Sequence, residues 1–204
     1  MKKFNFLIYI LILIVISSSK TLFANPLEHK IVVIVNDKII TSFDIIQRIK
    51  INSIINNIKL NEGNMDIVRN SVINELIDEK IKIEKSKEYN IKVDEKEYLE
   101  FENNILNQKG IIKDNLNTVF IENNIDYDEF SNFIKTQITW QKVIGGLYYR
   151  LVSASEIEIN EVLKNNPYIS NDQAKQIVIQ KQLDLKSNKL LRDLKNEATI
   201  EYRK

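Results

Sequence analysis

The chain has 204 residues, with 29 Lys and Arg against 28 Asp and Glu, a single histidine and no cysteine. A net charge of +1 supplies no broad attraction to phosphate, which disfavours nucleic acid as a partner. The lack of cysteine excludes disulfides, thiolate metal sites and thiol nucleophiles, and His29 alone cannot build a histidine pair, triad or multi-histidine metal site.

Residues 1–24 read as a secretory signal peptide. Lys2 and Lys3 precede Leu7 to Ile16, a run broken only by the Tyr9 hydroxyl, and Leu22-Phe23-Ala24 then leads to Asn25-Pro26. A basic start, a short apolar core and a small residue at the cut predict export with cleavage after Ala24. A membrane-spanning helix needs roughly 20 apolar residues, about twice this core. An uncleaved anchor is the alternative, because Leu22 is a mediocre residue three places before the cut. Removal of Lys2, Lys3 and Lys20 makes the mature chain slightly acidic, and His29 becomes a solvated residue near its ragged start.

Ile31 to Val35 is β-branched throughout, and Asn36-Asp37 separates it from Ile39-Ile40-Thr41, so a hairpin is expected. A helix is predicted from about Ser42, taken as its N-cap, with Ile51, Ile54, Ile55 and Ile58 forming one apolar stripe before Asn61-Glu62-Gly63-Asn64 ends it. The next helix is predicted from about Asp66 to Tyr89, burying Val72, Ile73, Leu76 and Ile77 and closing at Asn90. Asp94 and Glu97 have capping-box spacing and open a helix that ends at Gly110; a shorter one carries Leu116, Val119 and Phe120.

Asp126 and Glu129 repeat the capping-box spacing and open a long helix to Leu151, in which Gly145-Gly146 predicts a kink or the close approach of another backbone. Ser155 and Glu158 make a third box before a helix ending near Asn165-Asn166-Pro167. A last helix over about Asp172–Asn196 leads to a strand at Thr199–Tyr202, expected to return and pair with the hairpin, since a lone hairpin is marginal in water. The fold class is therefore mainly α, with a small antiparallel sheet made by the N-terminal hairpin and the C-terminal strand.

This order of elements, with the segments IVVIVNDKIITSFDIIQRIK (Ile31–Lys50), VINELIDEKIKIEKSKEYNIKVDEKE (Val72–Glu97) and DYDEFSNFIKTQITWQKVI (Asp126–Ile144), resembles the SurA family of periplasmic chaperones. Asn90 stands where that family usually has glycine, a mild departure because both tolerate the left-handed conformation. The resemblance implies one core made of residues 25–166 and completed by 167–204. Related full-length chains carry parvulin-type prolyl-isomerase domains before the returning helix. Here only about Asn165 to Asn171 lies between the two parts, too little for a domain.

The resemblance further implies a periplasmic, ATP-independent holdase of a Gram-negative bacterium, binding unfolded exported proteins, outer-membrane β-barrel precursors among them. No nucleotide, cofactor, metal or nucleic acid is expected, and membrane contact only through the signal segment before cleavage. A residual prolyl isomerase and an interaction module for one dedicated envelope partner are the competing classes. The acidic pairs Asp94/Glu97, Asp126/Glu129 and Glu156/Glu158 sit where helix starts favour negative charge, so they read as caps rather than as acid–base catalysts. Trp140, Tyr148, Tyr149 and Leu151 read first as core packing with partly exposed tyrosines; the sharper expectation is that they line a client groove.

Overall fold

Ile31–Val35 (β1) and Lys38–Thr41 (β2) form an antiparallel hairpin in the computed structural model, which describes residues 29–203; the expected signal segment and its cut lie outside the described residues. Asn36 takes φ 52°, a left-handed conformation that asparagine adopts more readily than most residues. Ile200–Tyr202 (β3) returns to the free edge of β1 with Val33 opposite Tyr202 and Val35 opposite Ile200, giving the strand order β2-β1-β3. The predicted joining of the chain ends is thus present, and Asn36 clasps it. Its N–H donates to the Thr199 carbonyl at 2.8 Å, and its side-chain oxygen accepts the Thr199 N–H at 2.9 Å.

Seven α-helices follow the hairpin among the described residues: α1 (Ser42–Ile55), α2 (Glu62–Lys87), α3 (Glu95–Gln108), α4 (Lys113–Glu122), α5 (Tyr127–Tyr148), α6 (Glu156–Asn165) and α7 (Asn171–Glu197). A 3-10 turn, Tyr149–Leu151, extends α5. The boxes at Asp94/Glu97 and Ser155/Glu158 form as expected. Asn90 at φ 49° and Gly110 at φ 66° occupy the left-handed positions expected at the ends of α2 and α3.

Several boundaries shift, each for a local reason. Thr41, not Ser42, caps α1, because its hydroxyl and the Asp44 carboxylate exchange bonds with each other's backbone N–H. Asn57 turns left-handed at φ 51°, so α1 stops at Ile55 and Ile58 leaves the stripe. Asn61 then starts α2 through a reciprocal box with Asn64, so the polar run predicted to end one helix opens the next. Ser170 does the same for α7 with Gln173. Gly145-Gly146 neither breaks α5 nor meets another backbone: the helix runs on to Tyr148, and an added Cβ at either glycine would touch nothing within 4 Å.

The Asp126/Glu129 pair does not close as a box. Asp126 accepts the Asp128 N–H at 2.9 Å, but its own N–H donates to the Gln47 side-chain oxygen of α1 at 3.0 Å. The Gln47 amide N–H in turn donates to the Asn124 carbonyl at 3.1 Å, pinning the α4–α5 loop and leaving Glu129 to point elsewhere.

Apolar packing falls into three clusters. The sheet, α1 and α2 bury Val33, Val35, Ile40, Ile73 and Ile77, and Leu191 and Leu194 of α7 close over them. The second joins the end of α1 to α3, α4 and α5, with Phe120 and Phe130 edge-to-face at 5.6 Å. Within it Glu102 is wholly buried and accepts bonds from Tyr98, Tyr127 and Lys113, locking three helices together. Burial, above all, holds the Tyr98 and Tyr127 phenols up from their ordinary range. The third sets Trp140, Val143 and Ile144 of α5 against Leu183 and Leu190 of α7.

Candidate functional site

Concave surfaces flank α5 on more than one side. One, a groove of about 580 Å³, runs between α2 and α5 with Asp44 at one end. Polar residues recur at helical spacing on both walls: Glu79, Ser86 and Asn90 on the α2 side, and Glu129, Asn132, Thr136 and Thr139 on α5. Each stripe spans about 15 Å at 1.5 Å per residue. Leu76, Ile83 and Ile91 supply the apolar part of the lining.

The groove is polarised in charge. At one end lie Asp44, Glu79 and Glu129 with Lys80 among them, and Lys87, Lys92 and Lys135 line it farther along. Glu79 is neutralised by Arg48 in a buried pair at 2.5 Å, with the guanidinium 4.7 Å from the centre of the Phe133 ring. Glu129 has no such partner. Burial first, and the Asp44 charge second, hold its carboxyl above the ordinary carboxylate range, against the pull of Arg48 and Lys80. The Ser86 hydroxyl is buried and unpartnered. Near Lys92, Lys142 of α5 donates to the Lys92 carbonyl at 2.9 Å and to Glu97 at 2.6 Å, holding the start of α3 against α5.

The second surface lies on the other side, between α5 and α7. One cleft is lined by Trp140, Ile144, Gly145 and Leu183, and a second by Gly145, Gly146, Tyr149 and Arg150, so the two meet at Gly145. Beyond it, α6 and the first half of α7 form an arm. No residue of α6 is buried, and Ala174, Val178 and Ile179 are the buried residues of α7. The arm is tied to the end of α5 by Gln182, whose side chain accepts the Ser153 N–H at 3.2 Å and donates to the Ser153 carbonyl at 2.9 Å. Large apolar side chains stand open here: Tyr149 is 55% exposed, Leu151 72%, Ile157 81% and Tyr168 99%.

The four residues singled out in the sequence separate on this surface. Trp140 is only 4% exposed, and its indole N–H donates to the Ser187 hydroxyl at 2.8 Å, so it packs α5 against α7. Tyr148 is half-buried over the same cluster, whereas Tyr149 and Leu151 are open. Ile157 and Tyr168 were missed, because whether the following helix covers them is not encoded in their local spacing. The α2–α5 groove was missed too. Its signal was the recurrence of Asn132, Thr136 and Thr139 along a helix otherwise rich in apolar residues.

Among the described residues no group of three or more His, Cys, Asp or Glu side chains is placed to hold a metal ion. No described helix is long and apolar enough to cross a membrane.

Residues 28–144 match the SurA N-terminal domain. The chain is 24% identical over 143 residues to Chaperone SurA of Saccharophagus degradans, covering 69% of this chain and 33% of that relative, so it spans about a third of that protein's length. A solved structure described with PEB4 and the periplasmic protein Cj1289, two structurally related SurA-like chaperones of Campylobacter jejuni, superposes with a TM-score of 0.49 at 14% identity, covering 85% of this chain and 99% of that one.

Proposed function

The chain belongs to the SurA N-terminal domain family, and we propose that it is an ATP-independent holdase that shields unfolded exported proteins, outer-membrane β-barrel precursors among them. Export by the signal peptide, with cleavage after Ala24, would place the mature chain in the periplasm. The observation that carries the proposal is the open apolar surface from Tyr149 through the α6–α7 arm. Ile67, Ile112 and Ile121 are open elsewhere, but Tyr149, Leu151, Ile157 and Tyr168 gather between the end of α5 and the start of α7, and such gatherings mark sites of association.

The mechanism is passive. Covering one such side chain contributes about 1–2 kcal/mol at roughly 25 cal/mol per Å² of apolar surface. A few of them, opposed by the entropy of ordering a flexible client, give weak binding and fast release. A β-barrel strand alternates apolar and polar residues, so it offers an apolar side chain at every second position to an open surface of this kind. Release requires no nucleotide because no single contact is strong.

The test is light scattering of a urea-unfolded outer-membrane protein diluted into buffer with and without Asn25–Lys204. Suppressed aggregation for this client, and little for an unrelated soluble one, supports the proposal. Unchanged scattering at excess protein refutes it.

A further inference from the structure

The groove between α2 and α5 holds two polar groups that the fold leaves unsatisfied. Ser86 is 8% exposed and its hydroxyl has no hydrogen-bond partner. Buried polar groups are ordinarily bonded, so an orphan lining a cleft marks a contact that a ligand can complete. On the facing wall Glu129 is half-buried and its carboxylate makes no hydrogen bond or ion pair, because Gln47 took over the capping bond it would otherwise make. The charged groups around it are Asp44 and Arg48 from α1 and Glu79 and Lys80 from α2. Arg48 is engaged with Glu79, and one Asp44 oxygen takes the Thr41 N–H, so Asp44 and Glu129 with Lys80 beside them form a pole that is acidic by two charges to one. Lys87, Lys92 and Lys135 form a basic pole, Lys87 about 12 Å from Glu79 and Lys135 about 9 Å from Glu129 by helical rise, the Lys135 ammonium lying over the Tyr98 ring.

Taking the chain as a chaperone of unfolded proteins, we propose that this groove seats an extended client segment bearing a basic side chain against Glu129 and Asp44, its backbone hydrogen-bonded by Ser86, and an acidic side chain about four residues away against Lys87, Lys92 and Lys135. Four residues of extended chain cover about 13 Å, and residues i and i+4 share a face, so both charges reach their poles together. A purely apolar segment would bury Glu129 without a partner, and a polyanion would meet the acidic pole, so neither matches the lining. The α6–α7 arm then takes apolar side chains while the groove selects among segments by charge spacing.

Fluorescence anisotropy tests this with a labelled unstructured peptide carrying Lys and Asp four residues apart, made in both chain directions, beside a Gln/Asn version. At least one charged peptide binds the wild-type chain more tightly than the neutral one. Glu129→Gln weakens it by about tenfold or more and Ser86→Ala by about three- to tenfold, with unchanged circular dichroism. Replacing the peptide lysine by glutamine costs the wild type the same factor and leaves the Glu129→Gln variant unaffected, the non-additivity of a direct contact. Equal binding of all peptides, or a lysine effect of the same size in both proteins, overturns the proposal. If the wild-type chain suppresses client aggregation yet does not discriminate these peptides, the groove assignment alone fails. If it does neither, the chaperone function fails with it.

Discussion

The sheet end of the molecule and the α6–α7 arm spend their apolar residues in opposite ways, although α7 runs through both. At the sheet end Val33, Val35 and Ile40 point inward from alternate strand positions, and Leu191 and Leu194 of α7 seal them against α2. Lys195 fastens that seal to Asp78 at 2.7 Å. In the arm the same helix pairs with α6, which buries none of its residues, and Ile157 and Tyr168 face water. The C-terminal half of α7 therefore closes the sheet core through Leu191 and Leu194, while its N-terminal half carries that helix's buried residues, Ala174, Val178 and Ile179, and the open side chains Ile157 and Tyr168 precede it. A substitution should reveal which kind of residue it strikes by whether stability or client protection falls.

The largest effect is expected at the sheet. Val33→Asp puts a charge into a fully buried position and should cost more than about 4 kcal/mol, read as a lost or strongly lowered melting transition. Unchanged melting would contradict the topology. Truncation after Asn196 removes β3 and its ladder with β1 and should cost about 2–4 kcal/mol in denaturant titration. A truncated chain as stable as the full one would show that the sheet end does not need its closing strand.

Gly145→Ala and Gly146→Ala should each stabilise by about 1 kcal/mol, because both lie within a continuous helix where a Cβ meets nothing. Loss of stability would mean that the two clefts meeting at Gly145 are tighter than the geometry gives. Glu129→Gln should raise the melting temperature modestly at neutral pH. The folded state binds that proton more readily than the unfolded chain, so the wild-type charge costs stability above its raised folded value. The gap between variant and wild type should close as pH falls through the raised value towards the ordinary carboxylate range; a gap that widens on acidification contradicts this. The smallest stability change, within about 0.5 kcal/mol, is expected for Leu151→Asp with Ile157→Asp, both exposed, while client protection falls severalfold. Unchanged protection would detach the arm from the function.

Most of the fold was legible because its signals are local. Alternating valines, an Asn-Asp turn and capping pairs at three-residue spacing each act within one turn of chain, and all of them mark real elements. The misplaced boundaries arose where one polar cluster could serve two purposes, as Asn61 to Asn64 ended one helix in the sequence and begins another in the structure. Glu129 was misread because Gln47, far away in sequence, displaced it from its cap. The site was less legible for the same reason. Whether Trp140 packs inward or Tyr149 stands open depends on where α7 lies, and no local spacing encodes that.

The proposed division between a packed core and a client-binding arm is tested most directly by a photo-crosslinking residue placed at Ile157 or at Ile121. Both are isoleucines on short helices with similar exposure, 81% and 77%, but only Ile157 lies on the arm. With an unfolded outer-membrane protein present, strong crosslinking from position 157 and little from position 121 is the predicted result. Equal yields from the two positions, or none from 157, would contradict the account.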